Sequence, residues 1–100
     1  MNSIKAKELK NLINDKSKDF QVVDVRSLME WEEGHIQDPR VINLEINSLL
    51  FNSSKISKDK DVYIICESGG RSSFAQMILK TKGIKSIDVE DGMSAYRKLN

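Results

Sequence analysis

The sequence has little of the residues that cross-link a chain or bind metals: Cys66 is its one cysteine and His35 its one histidine among 100 residues. A single cysteine excludes an intramolecular disulfide, and one cysteine with one histidine is too few ligands for a structural zinc site. We therefore expect neither a metal nor another cofactor. A lone cysteine without disulfides is typical of a reducing compartment, which favours a cytoplasmic protein.

Long apolar runs and an excess of one charge are also missing. The longest apolar run, 62–66, is far shorter than the roughly 20 residues that cross a bilayer, and the first residues lack the apolar segment of a signal peptide. The formal net charge of +1 gives no reason to expect nucleic acid or an anionic membrane as a partner. This length, with 39% hydrophobic and 31% charged residues, predicts one globular domain over 1–100, which we expect to be monomeric.

Short apolar runs alternate with segments of helical period along the whole chain. This alternation predicts an α/β fold, an open twisted, mainly parallel sheet of about four to five strands with helices on both faces. The predicted strands lie at 3–4, 21–25, 41–44, 62–65 and 84–89. The predicted helices lie at 6–14, between Ser27 and Gly34, at about 71–82 and at 93–99.

The helix predicted over 71–82 carries an apolar face. Phe74, Met77 and Ile78, with Ala75 beside them, recur at helical spacing and are expected to point into the core.

Residues 24–31 carry several polar side chains for which a structural role is expected. Ser27 and Glu30 have the spacing of a capping box. Arg26 and Glu30 are four residues apart and predict a local ion pair, and Asp24 is expected to accept backbone N–H groups. Asp24 and Glu30 as paired carboxylates for acid–base chemistry are the less favoured interpretation. Trp31 is expected to pack in the core or partly exposed, and not to bind a ligand.

The segment 66–72 reads Cys-Glu-Ser-Gly-Gly-Arg-Ser and joins the clearest strand to the following helix. In parallel sheets, sites form where strands end. Gly69 and Gly70 allow a tight turn that can aim several backbone N–H groups at one point, and the helix N-terminus and Arg71 add positive charge. Each of these favours the nucleophilic thiolate of Cys66. The alternative is an inert core cysteine at a strand end.

This segment resembles the active-site loop of the rhodanese family, which commonly reads Cys-x-x-Gly-x-Arg-Ser. Cys66, Gly69, Arg71 and Ser72 stand at the matching positions. Upstream residues resemble the family's Asp-x-Arg, Glu, Gly-His-Ile and Asn signature. These are Asp24-Val25-Arg26, Glu30, Gly34-His35-Ile36 and Asn43-Leu44.

Three features depart from the family pattern. Glu67 follows the cysteine, where many active members carry a basic residue, and a carboxylate there would disfavour an anionic donor such as thiosulfate. The segment 37–42 is about two residues longer than usual, which we expect to change a loop and not the chemistry. Asp91 precedes Gly92 where the family has two glycines, and Tyr96 stands in place of a tryptophan.

The resemblance implies a sulfurtransferase. Cys66 would take sulfane sulfur from a donor such as thiosulfate or a persulfide, hold it as a persulfide, and pass it to cyanide, a thiol or a partner protein. Arg71 would orient the donor or support the loop, and a Ser68 or Ser72 hydroxyl would donate to the sulfur, unless Ser72 bonds to the local backbone instead. A cysteine desulfurase or a sulfur-carrier protein would be a fitting partner. The implied substrate-binding loop consists of Glu67, Ser68, Gly69, Gly70, Arg71 and Ser72.

Other functions compete with this one. Phosphatases and arsenate reductases also place a cysteine loop between a strand and a helix, but their arginine comes six positions after the cysteine, and Arg71 comes five after Cys66. A binding module without turnover and a persulfide relay are two further alternatives. A catalytic Cys66–His35 pair is less favoured, because the resemblance gives His35 a structural role.

Overall fold

The computed structural model describes residues 2–99 of the chain. Within them, five strands form one parallel sheet in the order β1-β5-β4-β2-β3. The strands are β1 Ser3–Ile4, β2 Phe20–Asp24, β3 Val41–Asn43, β4 Asp61–Ile65 and β5 Ile87–Val89. This confirms the predicted α/β class with a parallel sheet.

The described part of the chain contains four α-helices, of which the last follows β5. They are α1 Ala6–Asn14, α2 Leu28–Glu33, α3 Gly70–Lys80 and α4 Gly92–Tyr96. Two short 3-10 turns, Ile46–Ser48 and Ser53–Lys55, occupy the region between β3 and β4. No helix among residues 2–99 is both long enough and apolar enough to cross a bilayer.

The central strand β4 separates the two halves of the core because successive side chains of a strand point to opposite faces. Tyr63 and Ile65 lie in the half that also contains buried residues of α1 and α4. Val62 and Ile64 lie in the half that contains buried residues of α3. Cys66 continues this alternation and faces α3.

The predicted start of the last strand was wrong by three residues. Gly83 has a left-handed φ of 72°, and the Ile84 N–H donates to the Leu79 carbonyl at 3.0 Å. These contacts end α3 in the manner of a Schellman motif. Ile84 therefore packs beneath the helix end, and pairing in β5 begins at Ile87.

The predicted apolar face of α3 was wrong for two residues, whereas Ala75 is buried and Ile78 packs partly buried against the core, as predicted. Phe74 and Met77 are 57% and 58% exposed, and the buried positions are Ser72, Ala75, Gln76 and Leu79. Two of these are polar but have partners: the Gln76 amide donates to the Ser86 carbonyl at 2.9 Å, and the Ser72 hydroxyl is bonded to a neighbouring carboxylate. Satisfied polar groups can be buried at small cost, so the helix rotates away from its most apolar stripe.

This orientation predicts very different effects for two truncations on α3. Leu79→Ala should lower the free energy of unfolding by about 2–5 kcal/mol, because it leaves a cavity in the core. Phe74→Ala should change it by about 1 kcal/mol or less, because that ring is largely exposed. Urea denaturation of both variants tests this, and losses of similar size would contradict the orientation of α3.

Candidate active site

Cys66 follows the last residue of β4, and it is 1% exposed. The Gly69 backbone N–H donates to Cys66 Sγ at 3.0 Å, and the Cys66 thiol points to Ser72 Oγ at 3.4 Å. The sulfur therefore lies inside the curve of the loop, at the carboxyl end of the central strand.

Gly69 is the glycine that shapes this loop. Its φ of 106° lies in the left-handed region, and a Cβ there would overlap the Glu90 carbonyl oxygen. This conformation turns the Gly69 N–H back towards the sulfur. Gly70 begins α3 with ordinary φ and open space around it, so one glycine of the pair is required and not two.

The start of α4 holds the start of the loop. The Met93 N–H donates to the Cys66 carbonyl and the Ser94 N–H to the Glu67 carbonyl, both at 2.9 Å. Gly92 makes this approach possible, because a Cβ on it would lie 2.5 Å from the Glu67 carbonyl oxygen. The Asp91–Gly92 turn, where the sequence departs from the family pattern, thus contains a residue that positions the cysteine loop.

Asp91, which replaces a glycine of the family pattern, has a structural role of its own. Its Oδ1 accepts the Ala6 N–H, the first of α1, at 2.7 Å. A carboxylate at a helix N-terminus satisfies a free N–H and favours the helix dipole. The substitution therefore stabilises α1 and leaves Gly92 free to approach the loop.

Arg71 is held by a carboxylate from α2. Its two terminal nitrogens donate to the two oxygens of Glu30 at 2.6 and 3.0 Å. Glu30 also accepts the Ser27 N–H, which completes the predicted capping box. These bonds, with that of Arg71 foremost, lower the pKa of Glu30 to about 2. The predicted Arg26–Glu30 pair was wrong, because Glu30 is bound to Arg71.

Arg26 is the largest side chain that is fully buried. Its guanidinium binds the Asp24 carboxylate through Nε at 3.0 Å and a terminal nitrogen at 2.9 Å, and it donates to the Gly34 carbonyl at 2.7 Å. Asp24 also accepts the Arg26 backbone N–H at 3.1 Å, as predicted for a structural carboxylate. Both charged groups are thus bound to partners inside the protein. Their arrangement fits a structural role and not acid–base chemistry.

Glu67, like Asp24, is bound by an arginine side chain. Both of its oxygens accept from the Arg97 guanidinium, one of them at 2.8 Å, and Arg26 lies 3.5 Å away. The Arg97 bond lowers the pKa of Glu67 below its ordinary value. Arg97 carried no signal in the sequence analysis, because its pairing depends on how α4 packs beside the loop.

The two serines of the loop differ in position. Ser68 is exposed. Ser72 is fully buried, and its hydroxyl lies 3.0 Å from the Gly69 carbonyl and 2.5 Å from Asp88 Oδ1. Asp88 was missed in the sequence analysis, although a carboxylate between two β-branched residues of a predicted strand is a signal that could have found it.

His35 contacts its own segment of the chain. Its ring stacks on Trp31 with centroids 3.5 Å apart, and its Nδ1 lies 2.7 Å from the Trp31 carbonyl oxygen. Trp31 in turn packs against the core on the α1 side of the sheet. These contacts fit the structural role that the resemblance implies for His35.

The Glu30–Arg71 pair predicts a specific pH dependence of stability. Because the pKa of Glu30 is about 2 in the folded protein and about 4.3 in an unfolded chain, its stabilising effect is complete above the higher value and is lost as the pH falls through the lower one. Glu30→Gln should therefore be less stable than wild type at neutral pH, and this difference should shrink between about pH 4.5 and 2. Urea titrations at several pH values test this, with Glu33→Gln, at an exposed position, as control. A difference that does not change with pH would contradict the pairing.

Comparison with known proteins agrees with this geometry. Residues 5–99 match the model of the rhodanese-like domain. The chain is 30% identical to a sulfurtransferase of Allochromatium vinosum, over 98% of this chain and 90% of that protein. It is 32% identical to YrkF of Bacillus subtilis, which is provisionally named as a sulfur carrier protein, over 79% of this chain but only 42% of that longer protein.

A solved structure shows the same fold. The rhodanese-like domain protein of Staphylococcus aureus superposes with a TM-score of 0.86 and 35% identity, over 96% of this chain and 91% of that one. The family model covers nearly all of the sequence, and the cysteine loop lies at the end of the central strand. This chain therefore belongs to the rhodanese-like family.

Proposed function

We propose that the protein transfers sulfane sulfur through a persulfide on Cys66. The observation that carries this proposal is the position of Cys66 Sγ, at the end of β4 and within 3.0 Å of the Gly69 N–H, which can stabilise a negatively charged sulfur. The relatives named as a sulfurtransferase and as a sulfur carrier support the same chemistry.

The reaction has two steps. The Cys66 thiolate attacks the outer sulfur of the donor, a new S–S bond forms, and the donor leaves as sulfite or a thiolate. Cyanide, a thiol or a partner protein then attacks the outer sulfur of Cys66–S–S⁻, and Cys66 leaves as a thiolate. This is covalent catalysis in which the backbone N–H groups of 67–72 stabilise the charged outer sulfur.

The charges around the loop favour a donor of low charge. Arg26, Arg71 and Arg97 are each paired with a carboxylate, from Asp24, Glu30 and Glu67. The charges of the three arginines and three carboxylates cancel. The backbone N–H groups of the loop are therefore left to attract an anionic donor. A persulfide with one negative charge should therefore be a better donor than thiosulfate with two.

This preference supports a persulfide relay as a second candidate function. A cysteine desulfurase would be a suitable donor protein, and a sulfur carrier or a biosynthetic enzyme a suitable acceptor. The lone cysteine suits a reducing compartment such as the cytoplasm, where it would stay available for loading. Arg71 is bound to Glu30 rather than free to bind a phosphoryl group, so the site gives no support to a phosphatase.

Loading of Cys66 is the first prediction of this proposal. The reduced protein, incubated with thiosulfate or with a polysulfide, should gain the mass of one sulfur, and cyanide or a thiol should remove it. Intact-protein mass spectrometry measures both steps, and Cys66→Ser should gain nothing because the chain has no other cysteine. A well-folded wild type that stays unmodified with either donor would leave only a binding module.

The effect of Glu67 is the second prediction. Glu67→Gln should raise kcat/KM for thiosulfate by about 3–10-fold, because it removes a negative charge beside the loop and frees Arg97. The kcat/KM for a persulfide donor should change less. Steady-state kinetics with both donors test this, and Glu45→Gln, an exposed carboxylate after β3, is the matched control. Equal changes for the two donors would contradict selection by charge.

A further inference from the structure

Asp88 is a buried carboxylate that the proposed reaction does not yet use. It lies in β5, directly beside Ile64 of β4, and is 8% exposed. Its Oδ1 is 2.5 Å from Ser72 Oγ, and Ser72 Oγ is 3.4 Å from Cys66 Sγ. Three buried side chains thus form a continuous hydrogen-bonded row from the sulfur to the carboxylate.

The Cys66 thiol needs a proton acceptor that is inside the protein. It must lose its proton to become a nucleophile, yet only 1% of the residue is exposed to water. The Gly69 N–H can only donate, whereas the Ser72 hydroxyl can both accept and donate. The thiol already points at Ser72 Oγ, so the route for its proton begins there.

We propose that Asp88 takes up the Cys66 proton through the Ser72 hydroxyl while Cys66 carries sulfur, and returns it when the sulfur leaves. This role rests on the proposed function, and it makes Asp88 a positioning residue that acts through Ser72. It adds a proton path to the reaction and needs no further reactant.

The step balances for either donor. With a persulfide, Cys66–SH, Asp88–COO⁻ and R–S–S⁻ become Cys66–S–S⁻, Asp88–COOH and R–S⁻, so two negative charges stand on each side. With thiosulfate the leaving group is sulfite, and three negative charges stand on each side. On discharge, cyanide takes the outer sulfur as thiocyanate, Cys66 leaves as a thiolate, and the proton returns from Asp88.

The row of hydrogen bonds reverses its direction in this step. In the thiol state, Cys66 donates to Ser72 and Ser72 donates to Asp88. Once Asp88 holds the proton, it donates to Ser72, and Ser72 can donate to the sulfur. A thiolate that leaves during discharge would then receive two hydrogen bonds, one from Ser72 and one from Gly69, which lowers the barrier to its departure.

The surroundings make Asp88 a better base than the other carboxylates near the loop. Burial raises the pKa of Asp88, and nearby Glu90 raises it further, although the Ser72 bond opposes this. Glu30 and Glu67 are bound to arginines, which lower their pKa values. From α3, the charged side chain nearest the loop is Arg71, and it is neutralised by Glu30.

Infrared difference spectroscopy can observe this proton directly. The spectrum of the persulfide-loaded wild type minus that of the reduced protein should contain a new C=O band of a protonated carboxylic acid, which shifts in D₂O. The band should be absent in Asp88→Asn and present in Asp61→Asn, whose carboxylate is exposed at the start of β4. Labelling with ¹³C-aspartate should shift the wild-type band, which assigns it to an aspartic and not a glutamic acid, and Ser72→Ala should lack the band because it breaks the path to Asp88.

Kinetics give an independent readout that a structural role would not produce. Asp88→Asn and Ser72→Ala should load sulfur about 10²-fold more slowly than wild type near pH 6.5. The defect should diminish near pH 9, because an ordinary cysteine thiol has a pKa of about 8.5 and ionises there without a base. Loss of activity that is equal at both pH values would indicate a structural defect and overturn the proposal.

The stability of Asp88→Asn separates folding from chemistry. Because burial raises the pKa of Asp88, this carboxyl group costs stability as the pH rises from its unfolded-state pKa through its higher folded-state pKa. The amide removes this cost and can still bond to Ser72, so the variant should unfold at the same or a higher urea concentration.

Mass spectrometry of the infrared samples distinguishes the two proposals. A loaded wild type without the new band, or a band that survives in Asp88→Asn, would overturn the proton path and leave the sulfur transfer standing. A wild type that gains no sulfur from either donor would overturn the transfer, and the proton path with it.

Discussion

The arrangement of the candidate active site depends on the buried Arg26 guanidinium. It joins the end of β2, through Asp24, to the end of α2, through the Gly34 carbonyl, and it approaches Glu67 in the cysteine loop. A guanidinium that is 1% exposed has lost its hydration, and removal of one partner from a buried ion pair typically costs about 3–5 kcal/mol. Three separate segments are thereby fixed to one rigid group, and the loop is positioned relative to the sheet before any substrate binds.

The site is built from paired charges. Each arginine near the loop is bound to a carboxylate, and the polar groups that contact the sulfur are the Gly69 N–H and the Ser72 hydroxyl, at the start of α3. Fixed dipoles of this kind need no rearrangement during a reaction, because the fold has already oriented them. Arginine thus holds the loop in shape here, and in the proposed reaction the peptide backbone would stabilise charge on sulfur.

The sequence was sufficient for the order and approximate position of the strands, except the start of β5, for their parallel arrangement and for the position of Cys66. These follow from local patterns: apolar runs, turn residues and a cysteine at a strand end. It was not sufficient for the face of α3. Hydropathy favours Phe74 and Met77 as core residues, but hydrogen bonds to Ser72 and Gln76 decide the orientation.

The sequence was also not sufficient to predict which charged residues pair with each other. Spacing suggested that Arg26 and Glu30 pair with each other, whereas tertiary structure gives each of them a different partner. The Arg97–Glu67 and Ser72–Asp88 contacts join residues 30 and 16 positions apart. Such contacts depend on how elements pack, and no local pattern in a single sequence specifies that packing.

The contacts that α4 makes with the loop have a consequence for biosynthesis. The ribosome releases the chain from its N-terminus, so residues 66–72 emerge before Met93 and Ser94, whose N–H groups hold the Cys66 and Glu67 carbonyls. Likewise, β1 pairs with β5 and the first N–H of α1 donates to Asp91, so neither contact can form until residues 88–91 have emerged. A nascent chain therefore carries its cysteine in an incomplete loop, and the shape of the cysteine loop becomes fixed only after residues 88–94 have emerged.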